Sequence, residues 1–221
     1  TFSEYIALPA NALVHKPKNM SFEEAAALPH AALLALQGLK DIGGIKNGMK
    51  VLINGAGGGV GTLALQLAKT HHCEVTGVDL QEKFEALSNL GYDHLINYQH
   101  ENFTENGIQY DLILDCKTDK SPFSYSRSLT ANGVYVSIGG KITYLLSTLI
   151  IGKALSAFSS KRFEILSLKP NQGLKEIEEM YVNNQIKPVI DGPYPLSLGP
   201  EKLQEFGNGY HIGKIILSLG T

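Results

Sequence analysis

The clearest pattern along the chain is a short apolar run at residues 49–54, Met-Lys-Val-Leu-Ile-Asn, that opens straight into a glycine cluster at 55–61. Beyond it, Val60, Leu63, Ala64, Leu67 and Ala68 recur at i, i+3, i+4, i+7 and i+8, the apolar stripe of one helix. The alternation then repeats. A strand is predicted over 74–79, a helix through Phe84, Leu87 and Leu90 that stops at Gly91, and a strand over 94–97. A strand over 110–115, a helix near 121–129 and a strand over 133–138, ending at Gly139-Gly140, continue the series. Strands alternating with helices at this spacing imply an α/β fold: a parallel sheet joined by right-handed crossovers and covered on both faces.

The two ends read differently. Residues 2–8 read as a half-exposed strand and 9–17 as a turn-rich stretch, before a helix capped by Ser21 with Glu24 three residues on. At the far end come a helix over 174–182, an extended stretch over 186–190, a short helix after Pro200 and a strand over 214–219. These pieces read as a second, antiparallel lobe. Between them, residues 144–157 carry an apolar face through Leu145, Leu149, Ile150 and Leu155, which suits core packing or, alternatively, a dimer surface or lid.

Composition narrows the functional classes. With 221 residues, 43% hydrophobic and 18% charged, the chain has enough apolar material for a large core and is neither disordered nor a coiled coil. A net charge of −2 without any block of like charge argues against a nucleic-acid or anionic-membrane surface. Two cysteines, Cys73 and Cys116, provide neither a disulfide framework nor a structural zinc site, so a reducing, cytoplasmic setting is expected. Residues 1–5 lack the basic and apolar parts of a signal peptide, and 144–157 is short of the ~20 residues of a membrane span.

The chemistry lies in the glycine cluster. Gly55 opens it, and Ala56, Gly58 and Gly61 fill the three small-residue places of the dinucleotide fingerprint. The first turns sharply, the second lets backbone approach a pyrophosphate, and the third lets helix and strand pack closely. The helix beginning at Gly59 and Val60 offers free N–H groups and a positive dipole end to phosphate. Asp79 ends the next strand at about the ~20-residue spacing at which a carboxylate reads a ribose. A methyltransferase also uses a glycine loop and an acid, but the third glycine and tight turn favour a pyrophosphate. Among the tyrosines only Tyr210, with Lys214, has the Tyr–Lys offset of short-chain dehydrogenases, and the segment between them does not read as helix.

The whole chain resembles the medium-chain dehydrogenase/reductase superfamily, in its zinc-independent quinone oxidoreductase and enoyl-reductase-like branch. The matching stretches include residues 2–5, Phe22-Glu23-Glu24-Ala25-Ala26-Ala27-Leu28-Pro29, the glycine cluster with Leu65-Gln66-Leu67-Ala68-Lys69, and Ile96-Asn97-Tyr98. Asp111-Leu112-Ile113-Leu114-Asp115, Ile186-Lys187-Pro188, Tyr194-Pro195-Leu196 and Gly213-Lys214-Ile215 match as well. The resemblance implies a Rossmann-type doubly wound parallel sheet with remnants of a GroES-like catalytic lobe. Residues 1–30 would be the tail of that lobe's amino-terminal part, 31–168 the nucleotide domain and 169–221 the return to the lobe. On the family pattern, on the order of 100 residues, a small domain's worth, would precede Thr1.

The expected function is that of an NAD(P)-dependent quinone, enone or related carbonyl reductase, or its nucleotide-binding portion. The alternative is a catalytically silent dinucleotide-binding module or truncated product. The partners expected are a small-molecule substrate and a second copy of the chain. Asp115, Cys116, Ile138, Gly139 and Gly140 join the glycine loop as candidate cofactor contacts at strand ends. Asp79 and Glu82 favour NAD(H), whereas Lys83 and Tyr98 are the residues through which NADP(H) would be accepted. No catalytic residue can be named. His30 stands where zinc-dependent relatives have a cysteine ligand, but zinc-free members put assorted residues there, and no zinc is expected. Ala32 and Leu34 replace the family's usual Gly and Thr at the nicotinamide end. His71-His72-Cys73 reads as a polar helix terminus, because consecutive residues there point in different directions.

Overall fold

The computed structural model describes residues 5–10 and 13–219. Helix α1 (Phe22–Leu36) starts at the expected reciprocal cap: Ser21 Oγ accepts the Glu24 N–H, and the Glu24 carboxylate accepts the Ser21 N–H. It continues into a π-helical turn, Gln37–Ile42. There follow β1 (Lys50–Asn54), α2 (Gly59–Thr70), β2 (Glu74–Asp79), α3 (Phe84–Leu90), β3 (His94–Asn97) and β4 (Tyr110–Asp115). Then come α4 (Pro122–Arg127), β5 (Leu129–Ser137), α5 (Ile142–Ser147), α6 (Lys153–Phe158) and β6 (Arg162–Ile165). The chain closes with α7 (Leu174–Val182), β7 (Ile190–Pro195), α8 (Gly199–Asn208) and β8 (Lys214–Ser218).

Six strands form one parallel sheet in the order β3-β2-β1-β4-β5-β6. Because successive side chains on a strand face opposite ways, β1 feeds two cores. Val51 and Ile53 join Leu28 and Leu33 of α1 and Leu63 of α2, whereas Leu52 joins Val78, Ile113, Tyr125 and Tyr135 on the other face. The first core also takes in Ile177 and Tyr181 of α7 and Ile186, so the returning segment is packed into the same body as the sheet. The edge strand β6 escapes periodicity, since Arg-Phe-Glu-Ile is short and half charged.

Two expectations at the ends are corrected. Residues 5–8 of the strand expected at 2–8 are exposed and outside any strand, and the rest of it lies outside the described residues. The second lobe's strands pair parallel, not antiparallel: Ile190 faces Lys214 and Tyr194 faces Leu217. The reason is the intervening α8, since a helix between two neighbouring strands is a crossover that returns the chain in the same direction.

Candidate functional site

The strand order reverses between β1 and β4, and an open parallel sheet leaves a crevice outside the carboxyl ends of such strands. Here that crevice is a cleft of about 760 Å³, within the usual size of small-molecule sites.

The glycine loop forms its floor. Gly55 leaves β1 with φ +87°, a conformation side chains rarely adopt, and the turn lets the Gly55 and Ala56 N–H groups both reach the Val78 carbonyl, at 3.0 and 3.2 Å. Ala56 is fully buried beneath the loop. A Cβ on Gly61 would lie 2.4 Å from the Gly55 carbonyl oxygen, so α2 can abut the loop only without a side chain there. Gly58 caps α2 with no side chain to occupy the first-turn N–H groups, which stay available to an anion. A Cβ on Gly58 would meet only the Gly55 oxygen, at 3.5 Å. Gly55, Gly58, Gly59, Val60 and Gly61 all line the cleft. The sharp turn, the open space at Gly58 and the uncapped helix start leave room and N–H donors for an anionic group.

A residue invisible to motif reading braces the loop from below. Tyr92, 6% exposed, donates toward the Ala56 carbonyl at 3.2 Å and the Gly61 carbonyl at 3.0 Å. Burial pushes its phenol well above the ordinary value, so it stays a donor. Its ring occupies the space that a side chain at Gly77 would fill.

Asp79 reaches the cleft from the end of β2, but its carboxylate is already engaged. Oδ2 accepts the Gly57 N–H at 2.7 Å, and Oδ1 accepts the Leu80 N–H at 2.9 Å and lies 3.1 Å from Lys83 Nζ. Lys83, placed four residues on, is buried against it and also lines the cleft. Tyr98 forms an exposed part of the same wall; burial, and then the Asp79 carboxylate, raise its phenol.

The β4 and β5 ends divide. Cys116 and Gly140 line the cleft, whereas Asp115, Ile138 and Gly139 do not. Asp115 is fully buried: Oδ1 accepts from Asn54 Nδ2 at 2.7 Å and from the Lys117 N–H at 2.9 Å, and Oδ2 from the Tyr135 hydroxyl at 2.8 Å. Burial raises its carboxyl, and its place is to hold the turn that follows β4. Burial, with the Asp115 carboxylate beside it, pushes the Cys116 thiol up to about 12, which makes it a neutral wall. Ile138 packs into the core, and the Gly139 carbonyl accepts the Thr118 N–H at 2.9 Å. Gly140 approaches Thr118 so closely that a Cβ would lie 2.3 Å from its carbonyl oxygen.

Other walls were not foreseen. Lys117, Lys120 and Lys141 line the cleft from the sheet side, and Phe206, Asn208, His211 and Lys214 from the returning segment. That segment is tied to the loop: the Gly213 N–H donates to the Gly57 carbonyl at 2.7 Å, and Gly213 bridges Gly58. The only signal for this contact in the sequence is the family-like Gly213-Lys214-Ile215. His30 also lines the cleft, held below the usual histidine value by burial and by the neighbouring Lys214 ammonium. That cation opposes a metal ion, and among the described residues no group of three His, Cys, Asp or Glu side chains could hold one. His71 is turned to its own helix, with Nδ1 3.2 Å from the Leu67 carbonyl.

Residues 90–217 match the zinc-binding dehydrogenase family. A zinc-type alcohol dehydrogenase-like protein of Schizosaccharomyces pombe is 31% identical over 92% of this chain and 61% of the relative. The 2-methylene-furan-3-one reductase of Solanum lycopersicum is 30% identical over 98% of this chain and 52% of the relative. Among solved structures, the quinone oxidoreductase of Coxiella burnetii superposes with a TM-score of 0.81 at 26% identity, over 94% of this chain and 64% of that one. The chain thus spans about 61% of the length of several curated relatives it matches.

Proposed function

Taking as premise that this chain belongs to the zinc-binding dehydrogenase family, in the quinone oxidoreductase-like branch of the medium-chain dehydrogenases/reductases, we propose that it is the nucleotide-binding part of a reductase of quinones, enones or related carbonyl compounds. The observation that carries this reading is the glycine loop at the switch point, with free helix N–H groups above it and lysines around it. A bound nicotinamide cofactor supplies the hydride. The chain's own residues bind and orient: the loop takes the pyrophosphate, Asp79 and Tyr98 flank the adenosine ribose, and Cys116 and Gly140 form the opposite wall. Residues 31–168 would be the nucleotide domain, and 1–30 and 169–221 its share of the catalytic lobe.

NAD(H) is the favoured cofactor because the Asp79 carboxylate on the cleft wall would accept from a ribose hydroxyl and repel a 2′-phosphate. The buried Lys83 offsets part of that charge, which leaves NADP(H) accepted more weakly. A homodimer is supported by the face around α5 and α6, where Ile142 is 72% exposed, Ile150 74% and Phe158 92%, beside the edge strand β6. Such exposure counts against simple core packing for Leu149 and Ile150. Among the described residues no helix is long and apolar enough to cross a membrane, and a cytoplasmic setting rests on cysteine usage alone.

Steady-state oxidation of NADH and NADPH with quinone and enone acceptors tests the proposal, run beside calorimetric cofactor titrations. Turnover with either cofactor is the expected result, and absence of binding to both overturns the reading. Tight binding without turnover in the full-length product would favour a silent dinucleotide-binding module, a reading motivated by the chain's partial span of its relatives.

A further inference from the structure

Resting on the dinucleotide reading of the cleft, we propose that His211 is a positioning residue that donates its Nε2–H to the diphosphate of the bound cofactor. The returning segment carries it there. Gly213, two residues on, donates its N–H to the Gly57 carbonyl and bridges Gly58. Two residues of chain span at most about 7 Å, so the imidazole stands beside whatever rests on the loop, and it lines the same cleft.

Two observations settle which edge of the ring is available. The imidazole stacks on Phe206, with centroids 4.9 Å apart and 27° between planes, so its plane is held. Its Nδ1 is shut away from solvent and has no hydrogen-bond partner. Burying a bare ring nitrogen costs less than burying an N–H without an acceptor, so the single proton of the neutral ring sits on Nε2. The residue is half-buried and lines the cleft, which leaves Nε2 as the ring nitrogen that can serve it.

Burial is the main cause that lowers the ring's proton affinity, followed by Lys83 of the β2–α3 turn; Asp191 of β7 opposes them, Lys117 of the β4 turn adds to them, and Asp79 of β2 opposes. A neutral Nε2–H is a donor that offers the cleft no competing acceptor, and a phosphoryl oxygen on the loop is the acceptor within reach. It strengthens anion binding without adding a further buried cation.

The test is calorimetry on the 221-residue chain with ADP-ribose, NADH and adenosine, for the parent, His211→Ala and His211→Gln. His211→Ala is expected to weaken ADP-ribose and NADH on the order of tenfold while adenosine affinity stays as in the parent. His211→Gln, which keeps an N–H donor, should recover most of the loss. Unchanged ADP-ribose affinity in His211→Ala overturns the assignment, as does an equal loss for adenosine, which would reveal a packing role through Phe206. A parent that binds neither ADP-ribose nor NADH overturns the dinucleotide reading itself, an outcome distinct from a binding parent with an insensitive variant. Thermal melting of each variant separates loss of contact from loss of fold.

Discussion

Lys83 Nζ lies 3.1 Å from Asp79 Oδ1, with the two side chains 6% and 8% exposed. The Asp79 carboxylate therefore carries its own counterion, and the pair sits on the cleft wall. Removing one member of a buried pair strands the other. Lys83→Met is expected to cost about 3 kcal/mol in urea denaturation and to raise the ratio of NADPH to NADH dissociation constants roughly tenfold. Asp79→Ser should move the ratio the opposite way. A ratio unmoved in both variants would mean that the 2′ position is read elsewhere.

Two glycines of the loop should fail in different ways. Gly58 has extended φ and ψ and room for a Cβ, so Gly58→Val should melt close to the parent yet lose cofactor binding at least tenfold. Gly61→Ala drives a methyl against the Gly55 and Ala56 carbonyls, at 2.4 and 2.5 Å. A stability loss of about 1–3 kcal/mol is expected there. Calorimetry and thermal melting on both variants distinguish a ligand contact from a packing contact.

Asp115 supplies a pH signature. Its carboxyl is raised in the folded protein, so the charged form is disfavoured there, and this group's stabilisation is lost as pH rises from 3.8 through the folded value. Asp115→Asn keeps acceptors for Asn54 and the Lys117 N–H, and its amide can donate to Tyr135. At pH 7 it should be at least as stable as the parent, with that pH dependence gone. Asp115→Ala orphans several partners and should cost about 2–4 kcal/mol. Denaturation midpoints from pH 3 to 7 check all three proteins.

A second pair ties α7 to α1. The Tyr181 hydroxyl donates to Glu24 Oε2 at 2.6 Å, which lowers the Glu24 carboxyl and raises the Tyr181 phenol to about 12. The depressed carboxyl contributes stability above its unfolded value of 4.5 that is lost as pH falls through the folded one. The raised phenol contributes stability below pH 10 that is lost as pH climbs toward 12. Tyr181→Phe is therefore expected to lower mid-pH stability by about 1–2 kcal/mol and to flatten both limbs of a stability–pH curve. A curve parallel to the parent's would remove this contact from the account.

Alternation of strands and helices was legible because each element answers to a local rule. The stripe from Val60 to Ala68, the Ser21–Glu24 cap and the stop at Gly91 involve residues within a few positions of one another. The glycine loop was legible for the same reason: a sharp turn, a close approach and a helix start are all met within seven residues. Strand-end candidates divide by contacts that no short stretch of sequence shows. Cys116 and Gly140 line the cleft, whereas Asp115 is held by Asn54 and Tyr135 and Ile138 packs against the core.

Everything set by contacts between distant parts of the chain was decided by packing. Tyr92 under the loop, the lysines around the cleft, and His211 and Lys214 arriving from the returning segment follow no local period. The parallel pairing of β7 with β8 required recognising that α8 is a crossover and not an appendage. Asp79 was visible as a carboxylate at a strand end, yet whether it met solvent or an ammonium depended on a four-residue turn that folds Lys83 back onto it. Local sequence specifies which groups stand near the cleft, because backbone sterics and periodicity act over a few residues. Tertiary packing specifies which of those groups are already paired, because burial and charge act across the whole fold.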